Sequence, residues 1–239
     1  MSEPILLVDN ITAGYERQRV LRNLSLEVPD GSAVGIIGPN GHGKSTLLKC
    51  ISNLIRPFHG TIQFKGKSTI GLRPEKIVEI GITHIPQGDL LFPKLTVLEN
   101  LRMGAYLSLR NSEEVNKRRN QVYEIFPKLR EREYQLASTL SGGERRMLSI
   151  GRGLMTEGSI LLIDEPSLGL APMIIEQIYE VLTELKKRNI ALLIVEENPT
   201  RVTRIADYIY LLDHGEFVWH GTPHALRTQS DILHTYFGT

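Results

Sequence analysis

The sequence predicts an α/β domain built on a mostly parallel sheet, with antiparallel β structure toward both ends of the chain and a helical segment inserted in the middle. Three observations carry that reading. Four short apolar runs, Ala33–Ile37, Ile82–Ile85, Ile160–Ile163 and Ala191–Val195, are rich in β-branched residues and lack polar alternation; this is the pattern of strands covered on both faces. Stretches of helical length such as Lys44–Leu54 and Ile174–Lys187 separate them, and strand–helix alternation favours parallel pairing. Residues 95–157 hold no convincing strand at all.

Taken in chain order, Ile5–Val8, Leu24–Val28 and Ile62–Phe64 read as antiparallel strands, with Gly31, Gly60 and Gly66 supplying turns. Helix Lys44–Leu54 follows the first buried strand. In the middle, Asn111–Arg119 is polar and charge-dense, and Val122, Ile125 and Leu129 then recur at helical spacing. A further helical pattern covers Arg145–Met155. Toward the end, Tyr208–Asp213 and Phe217–His220 flank the turn His214-Gly215 and read as a second antiparallel pair. One domain over residues 1–239 is expected, its core formed by 1–87 and 158–239 and a helical subdomain by about 88–157.

Composition narrows the function classes. The 239 residues, 41% hydrophobic, suffice for one large core. Lys+Arg is 28 against 27 Asp+Glu, a net charge of +1, so no basic excess points to nucleic acid. The single cysteine, Cys50, excludes an intrachain disulfide framework and a cysteine zinc cluster. Met1-Ser2-Glu3-Pro4 does not open a secretory signal, and no apolar run approaches the roughly 20 residues that span a bilayer. Any membrane role is therefore expected from outside the bilayer or through a partner. The seven histidines show no metal-ligand spacing and, apart from His42, read as surface or packing residues.

The chemistry concentrates in a few motifs. Gly38-Pro39-Asn40-Gly41-His42-Gly43-Lys44-Ser45 fits G-x-x-x-x-G-K-[ST]. It stands between an apolar strand and a helix, the context the motif needs. Its glycines let backbone N–H groups converge on phosphate oxygens. Lys44 adds charge for the β- and γ-phosphates, the Ser45 hydroxyl can hold Mg²⁺, and the helix start, continuing into Thr46, adds partial positive charge. Ile160–Ile163 ends in Asp164-Glu165, two acids at the carboxyl end of a buried strand, where open α/β sheets bind ligands. Asp164 suits Mg²⁺ or its water, and Glu165 suits polarisation of an attacking water. Tyr15, beside the polar turn Glu16-Arg17-Gln18, either packs or stacks a base, and local sequence favours packing.

Leu140-Ser141-Gly142-Gly143-Glu144 precedes the Arg145–Met155 helix. It reads as a capping box of Ser141 and Glu144 and equally as a second anion-receptive helix start. Two phosphate-binding elements far apart in sequence suggest two copies closing on shared nucleotides.

Together these motifs resemble the ATP-binding-cassette (ABC) ATPases over nearly the whole chain. The resemblance implies ATP and Mg²⁺ as ligands and head-to-tail pairing of two cassettes. The Gly38–Thr46 loop of one copy would bind ATP, and Ser141, Gly142, Gly143 and Glu144 of the other would close on its γ-phosphate. It further implies that Tyr15 stacks adenine, reversing the local preference, and that Val20 helps enclose the nucleotide. Gln87 in Ile85-Pro86-Gln87 would sense Mg²⁺, Asp164 would accompany the metal, and Glu165 would act as base. Glu197 occupies the switch position.

Finer cues, Gly88–Val97, Glu99-Asn100-Leu101, Met103–Tyr106 and Asp164–Pro172, are similar to importer cassettes for branched-chain and other hydrophobic amino acids, in particular their shorter ATPase subunit. That resemblance implies a cytoplasmic protein on the inner face of the cell membrane. Its partners would be membrane permease subunits, a second ATPase subunit (paralogue or self) and, indirectly, a solute-binding protein, with no nucleic acid. Leu90, Leu91 and Phe92 are candidates for a partner groove, or else pack at the subdomain junction. Urea or amide uptake, lipid or lipopolysaccharide export, and soluble non-transport cassettes are the alternatives. Three departures from the pattern stand out: Ala171 replaces the family's D-loop aspartate, a change the importer subfamily shares. Glu197 stands where the family has histidine and the subfamily glutamine, and Arg145-Arg146 stand where the subfamily has glutamines. Arg201 or Arg204, a turn or two beyond Glu197, is a candidate partner for its charge.

Overall fold

The computed structural model describes residues 3–16, 18–108, 111–229, 232, 235 and 236. In chain order the elements are β1 (Leu6–Tyr15), β2 (Gln18–Val28), β3 (Ala33–Ile37), α1 (Lys44–Ile51), β4 (His59–Phe64), β5 (Lys67–Ser68), α2 (Pro74–Glu79) and β6 (Ile82–Ile85). The helices α3 (Val97–Gly104), α4 (Ser112–Ile125), α5 (Pro127–Glu131) and α6 (Gly142–Leu154) follow. The chain then returns through β7 (Ile160–Asp164), α7 (Pro172–Lys187), β8 (Ala191–Glu196), α8 (Pro199–Val202), β9 (Tyr208–Asp213), β10 (Glu216–Gly221) and α9 (Pro223–Arg227).

Two sheets result. The larger has the order β10-β9-β3-β8-β7-β6 and the smaller β2-β1-β4-β5. Within the larger sheet every pairing is parallel except β9 with β10. β9 and β10 form the expected antiparallel pair, and β9 is in addition a parallel neighbour of β3, with Val34 opposite Tyr208. The local pattern of β9 looks the same in either pairing; its partner, 174 positions away, decides the direction. The smaller sheet is antiparallel throughout; Gly66, at positive φ, sits in the short turn that reverses the chain between β4 and β5, whereas Gly60 falls inside β4 instead of forming the expected turn.

The larger sheet separates two apolar clusters. Along β3, Ala33 and Ile37 join the cluster that runs into the inserted helices, whereas Val34 and Ile36 face the smaller sheet. The alternation follows from the period of two along a strand. Apolar side chains on both faces explain the unbroken hydrophobic runs seen in the sequence. Helix α1 stops at Ile51, short of the expected Leu54, because Asn53 takes the left-handed conformation that ends helices and Leu54 N–H closes back on the Lys49 carbonyl at 2.9 Å. All regular elements between β6 and β7 among the described residues are helical, apart from one isolated bridge, Thr96 to Leu136.

Candidate functional site

The register of the sheet brings the polar strand ends together. Ile37 lies opposite Glu196, and Asp164 opposite Val195. The loop after β3, the acids of β7 and the acids of β8 therefore emerge side by side at the carboxyl edge. In the loop, Gly38, Gly41 and Gly43 have φ of 154, 81 and 107°. A Cβ at Gly38 would sit 2.1 Å from the Leu212 carbonyl oxygen, so only glycine lets β9 approach the loop. Lys44 opens α1 but is only 4% exposed. Its Nζ donates to the carbonyls of Gly38 at 2.8 Å and Pro39 at 3.0 Å and lies 3.7 Å from Glu165 Oε1. Burial pulls the ammonium pKa down, opposed by Glu165, Glu197 and Asp164.

The carboxylates divide their work by environment. Asp164 is 2% exposed and its Oδ1 has no hydrogen-bond partner. Burial pushes its pKa up, with the Ser45 hydroxyl, Lys44 and Arg146 pulling the other way. Glu165 sits at φ 45°, an uncommon conformation for a side chain with a Cβ, held by its N–H donating to the Val195 carbonyl at 2.9 Å. The Gln87 amide donates to Glu165 Oε2 at 2.9 Å. Burial raises the Glu165 pKa; Lys44 opposes, while Asp164, Glu196 and Glu197 add to the rise. Glu196 is consumed elsewhere: it accepts from the Tyr179 hydroxyl at 3.1 Å and the Ser167 N–H at 3.2 Å.

Glu197 finds a partner the sequence did not suggest. Asn40 of the glycine-rich loop donates its Nδ2 to Glu197 Oε2 at 3.0 Å. The expected cations are engaged otherwise: Arg201 binds the Ser167 hydroxyl and lies 4.0 Å from Glu196, and Arg204 pairs with Glu176. Helical spacing fails here because α8 is only four residues long and ends at Val202, so Arg204 lies beyond it.

A cavity of about 260 Å³ is lined by Asn40, Gly41, Gly43, Lys44, Ser45, Thr46, Gln87 and Glu165. Several expected residues lie outside that lining. Tyr15 is 46% exposed and borders a separate cleft with Leu54 and Phe58, its hydroxyl accepting from Lys49 at 3.3 Å. His42 turns its ring toward Asp213, with Nδ1 2.7 Å from the carboxylate, so only its backbone remains for the cavity. Ser141–Glu144 form the capping box of α6, with Glu144 also 2.8 Å from Arg132.

The Arg145-Arg146 pair, a departure from the family pattern, has a structural meaning that its sequence does not show. Arg146, 3% exposed, donates to the carbonyls of Pro86 at 3.1 Å, Gly88 at 2.8 Å and Asp164 at 3.0 Å. One guanidinium thus brackets Gln87 on both sides and ties the helix after the signature to the strand end carrying Glu165. Arg145 adds an ion pair with Asp89 at 2.9 Å. The only signal in the sequence was a second charge on the buried face of an amphipathic helix.

A model of the ABC transporter family matches residues 21–168, which takes in the glycine-rich loop, Gln87, the signature, Asp164 and Glu165. The chain belongs to the ABC transporter family. It is an ATP-binding cassette and an ATPase. Among its relatives, the high-affinity branched-chain amino acid transport ATP-binding protein BraG of Pseudomonas aeruginosa is 39% identical over 98% of this chain and 100% of its own length. The probable branched-chain amino acid transport ATP-binding protein LivF of Archaeoglobus fulgidus is 36% identical over 90% of this chain and 91% of its own. The crystal structure of an ABC-transporter cassette in its ADP conformation superposes with a TM-score of 0.89, at 28% identity and full coverage of both chains. Among the described residues of this cassette, no helix is long and apolar enough to cross a membrane.

Proposed function

We propose that this cassette is the ATP-hydrolysing subunit of an importer for branched-chain or other hydrophobic amino acids, working on the inner face of the cell membrane through separate permease subunits. The observation that carries the substrate class is full-length similarity to BraG. An exposed apolar groove supports a membrane-subunit contact: Leu90, Phe92, Met103, Tyr106 and Leu107 line about 680 Å³ beside Arg152, each of the five at least 40% exposed. Of the expected trio, Leu91 instead packs against the core.

In this reading Lys44 and the backbone of the Gly38–Thr46 loop hold the ATP phosphates, and Tyr15 takes the adenine. Glu165 accepts the proton of the attacking water, and Gln87 and Lys44 orient it. Magnesium suits the buried, unpartnered Asp164 Oδ1, the Ser45 hydroxyl and the Gln87 side chain, all hard oxygen donors. When bound it would neutralise charge on the β- and γ-phosphates. Because Ser141–Glu144 lie outside the lining of the loop cavity of their own chain, the signature would complete the site of a second cassette, self or paralogue.

The test is reconstitution with candidate permeases, a second cassette and a solute-binding protein in proteoliposomes. ATP hydrolysis should rise when the binding protein is loaded with leucine, isoleucine or valine, and labelled amino acid should accumulate. Stimulation by urea or an amide alone, or none by any small solute, would overturn the substrate class.

A further inference from the structure

His42 meets Asp213 and His214, 171 and 172 positions further along the chain, beside the phosphate loop. His42 Nδ1 lies 2.7 Å from Asp213 Oδ1, and His214 Nε2 lies 3.9 Å from the same oxygen. The two imidazoles stack with centroids 4.3 Å apart and 30° between planes. One ligand atom from each residue falls within 4.8 Å of the others. The sequence shows no metal-ligand spacing among the histidines; this grouping is tertiary, created where the β9–β10 turn lies against the loop.

The hydrogen bonding of His42 is internally opposed. Its Nδ1 faces the Asp213 carboxylate, which asks for a proton on the nitrogen, and also receives the backbone N–H of His214 at 3.2 Å, which asks for a bare lone pair. With Nδ1 bare, lone pair and carboxylate oxygen confront each other, and a cation between them turns that confrontation into attraction. The turn can supply the remaining adjustment. A tetrahedral metal about 2.0–2.1 Å from each ligand sets the ligand atoms roughly 3.4 Å apart. His214, whose side chain is 81% exposed, is free to close that distance. The Tyr236 hydroxyl, 3.5 Å from Asp213 Oδ2, steadies the outer carboxylate oxygen.

We propose that His42, Asp213 and His214 form a binding site for a late first-row divalent cation, zinc above all, separate from the Mg²⁺ position at Ser45 and Asp164. Two imidazole nitrogens and one carboxylate with a coordination position open to water suit zinc, whereas Mg²⁺ and Ca²⁺ prefer oxygen ligands. The occupied site ties the phosphate loop through the His42 ring to the β9–β10 turn. It stands independently of the transport reading.

The experiment is calorimetric titration of the full-length, nucleotide-free protein with zinc, repeated with cobalt to read the visible absorption of a tetrahedral complex. One zinc per chain is expected, with a dissociation constant on the order of micromolar. His214→Ala, an exposed position outside the nucleotide-binding machinery, should weaken binding at least tenfold and remove the tetrahedral cobalt spectrum, with metal-free ATPase activity retained. Asp213→Asn should weaken it similarly and gives a second arm if one variant misfolds. Millimolar Mg²⁺ should not compete. Binding that survives in His42→Ala/His214→Ala, absence of binding by the parent protein, or displacement by Mg²⁺ would each overturn the proposal.

Discussion

Replacing Glu165 with glutamine separates the chemistry of the site from its architecture. The Glu165 carboxylate is 5% exposed, 3.7 Å from Lys44 Nζ and 2.9 Å from the Gln87 amide. At an effective dielectric of about 20, the Lys44 attraction is roughly 4 kcal/mol. Burial of the same charge opposes it, and the net result is a pKa above the usual carboxylate range, with burial the first cause. A carboxyl raised on folding contributes stability that is present below its unfolded pKa and lost as pH rises through the folded one. At neutral pH, removing the charge should therefore leave Tm unchanged or slightly higher. The amide of Glu165→Gln still accepts from Gln87, so the cavity keeps its shape and ATP binding should persist. Hydrolysis should not: losing a positioned base costs typically 10²–10⁴-fold, about 2.7–5.4 kcal/mol in the barrier. The parent's rate should also fall as pH drops through the raised Glu165 pKa, and the residual rate of the variant should lack that acid limb. Single-turnover phosphate release across pH, beside equilibrium binding of a labelled ATP analogue, measures both effects. A parental rate in a folded Glu165→Gln protein would refute the assignment, and another residue would be orienting the water.

Glu197→Gln should keep or tighten ATP affinity and keep or raise turnover, because its amide oxygen still accepts from Asn40 while a negative charge leaves the phosphate site; severe loss of turnover would make Glu197 an acid or base in its own right. Arg146→Gln removes a buried guanidinium that serves three carbonyls. With charge-assisted bonds lost and a buried charge removed, about 2–3 kcal/mol and roughly 5–10 °C in Tm should go. Turnover should fall more than ATP binding, since Gln87 loses its bracket; equal losses in both would reduce Arg146 to a packing role. Ser141→Ala should cost about 1 kcal/mol by removing the α6 cap. The Glu144 pKa is set by burial, which raises it, outweighed by bonds from Ser141 and by Arg132, so it lies below the usual value. That stability is present above the unfolded pKa and is lost as pH falls through the folded one. Urea melts at neutral and acid pH should show the variant less sensitive to acid than the parent.

What the sequence determined by itself was everything with a local cause. Ala33–Ile37 and Ile82–Ile85 are strands with the expected bounds because short segments rich in branched residues fit a sheet covered on both faces. The glycine-rich loop was legible because a backbone that must turn at positive φ beside another strand needs glycine at set places. Asp164-Glu165 was legible because acids ending a buried strand must emerge at the sheet edge. Tertiary structure alone decided the direction of β9, the pairing of Glu197 with Asn40 in place of Arg201 or Arg204, and the meeting of His42 with Asp213 and His214. It likewise turned Arg146 from an odd charge into the tie between the signature helix, the Gln87 loop and the Glu165 strand. These contacts join residues from 18 to 174 positions apart. Hydrophobic period and turn chemistry act over a few residues, whereas the order of strands in a sheet, which sets such neighbours, is fixed only when the whole core packs.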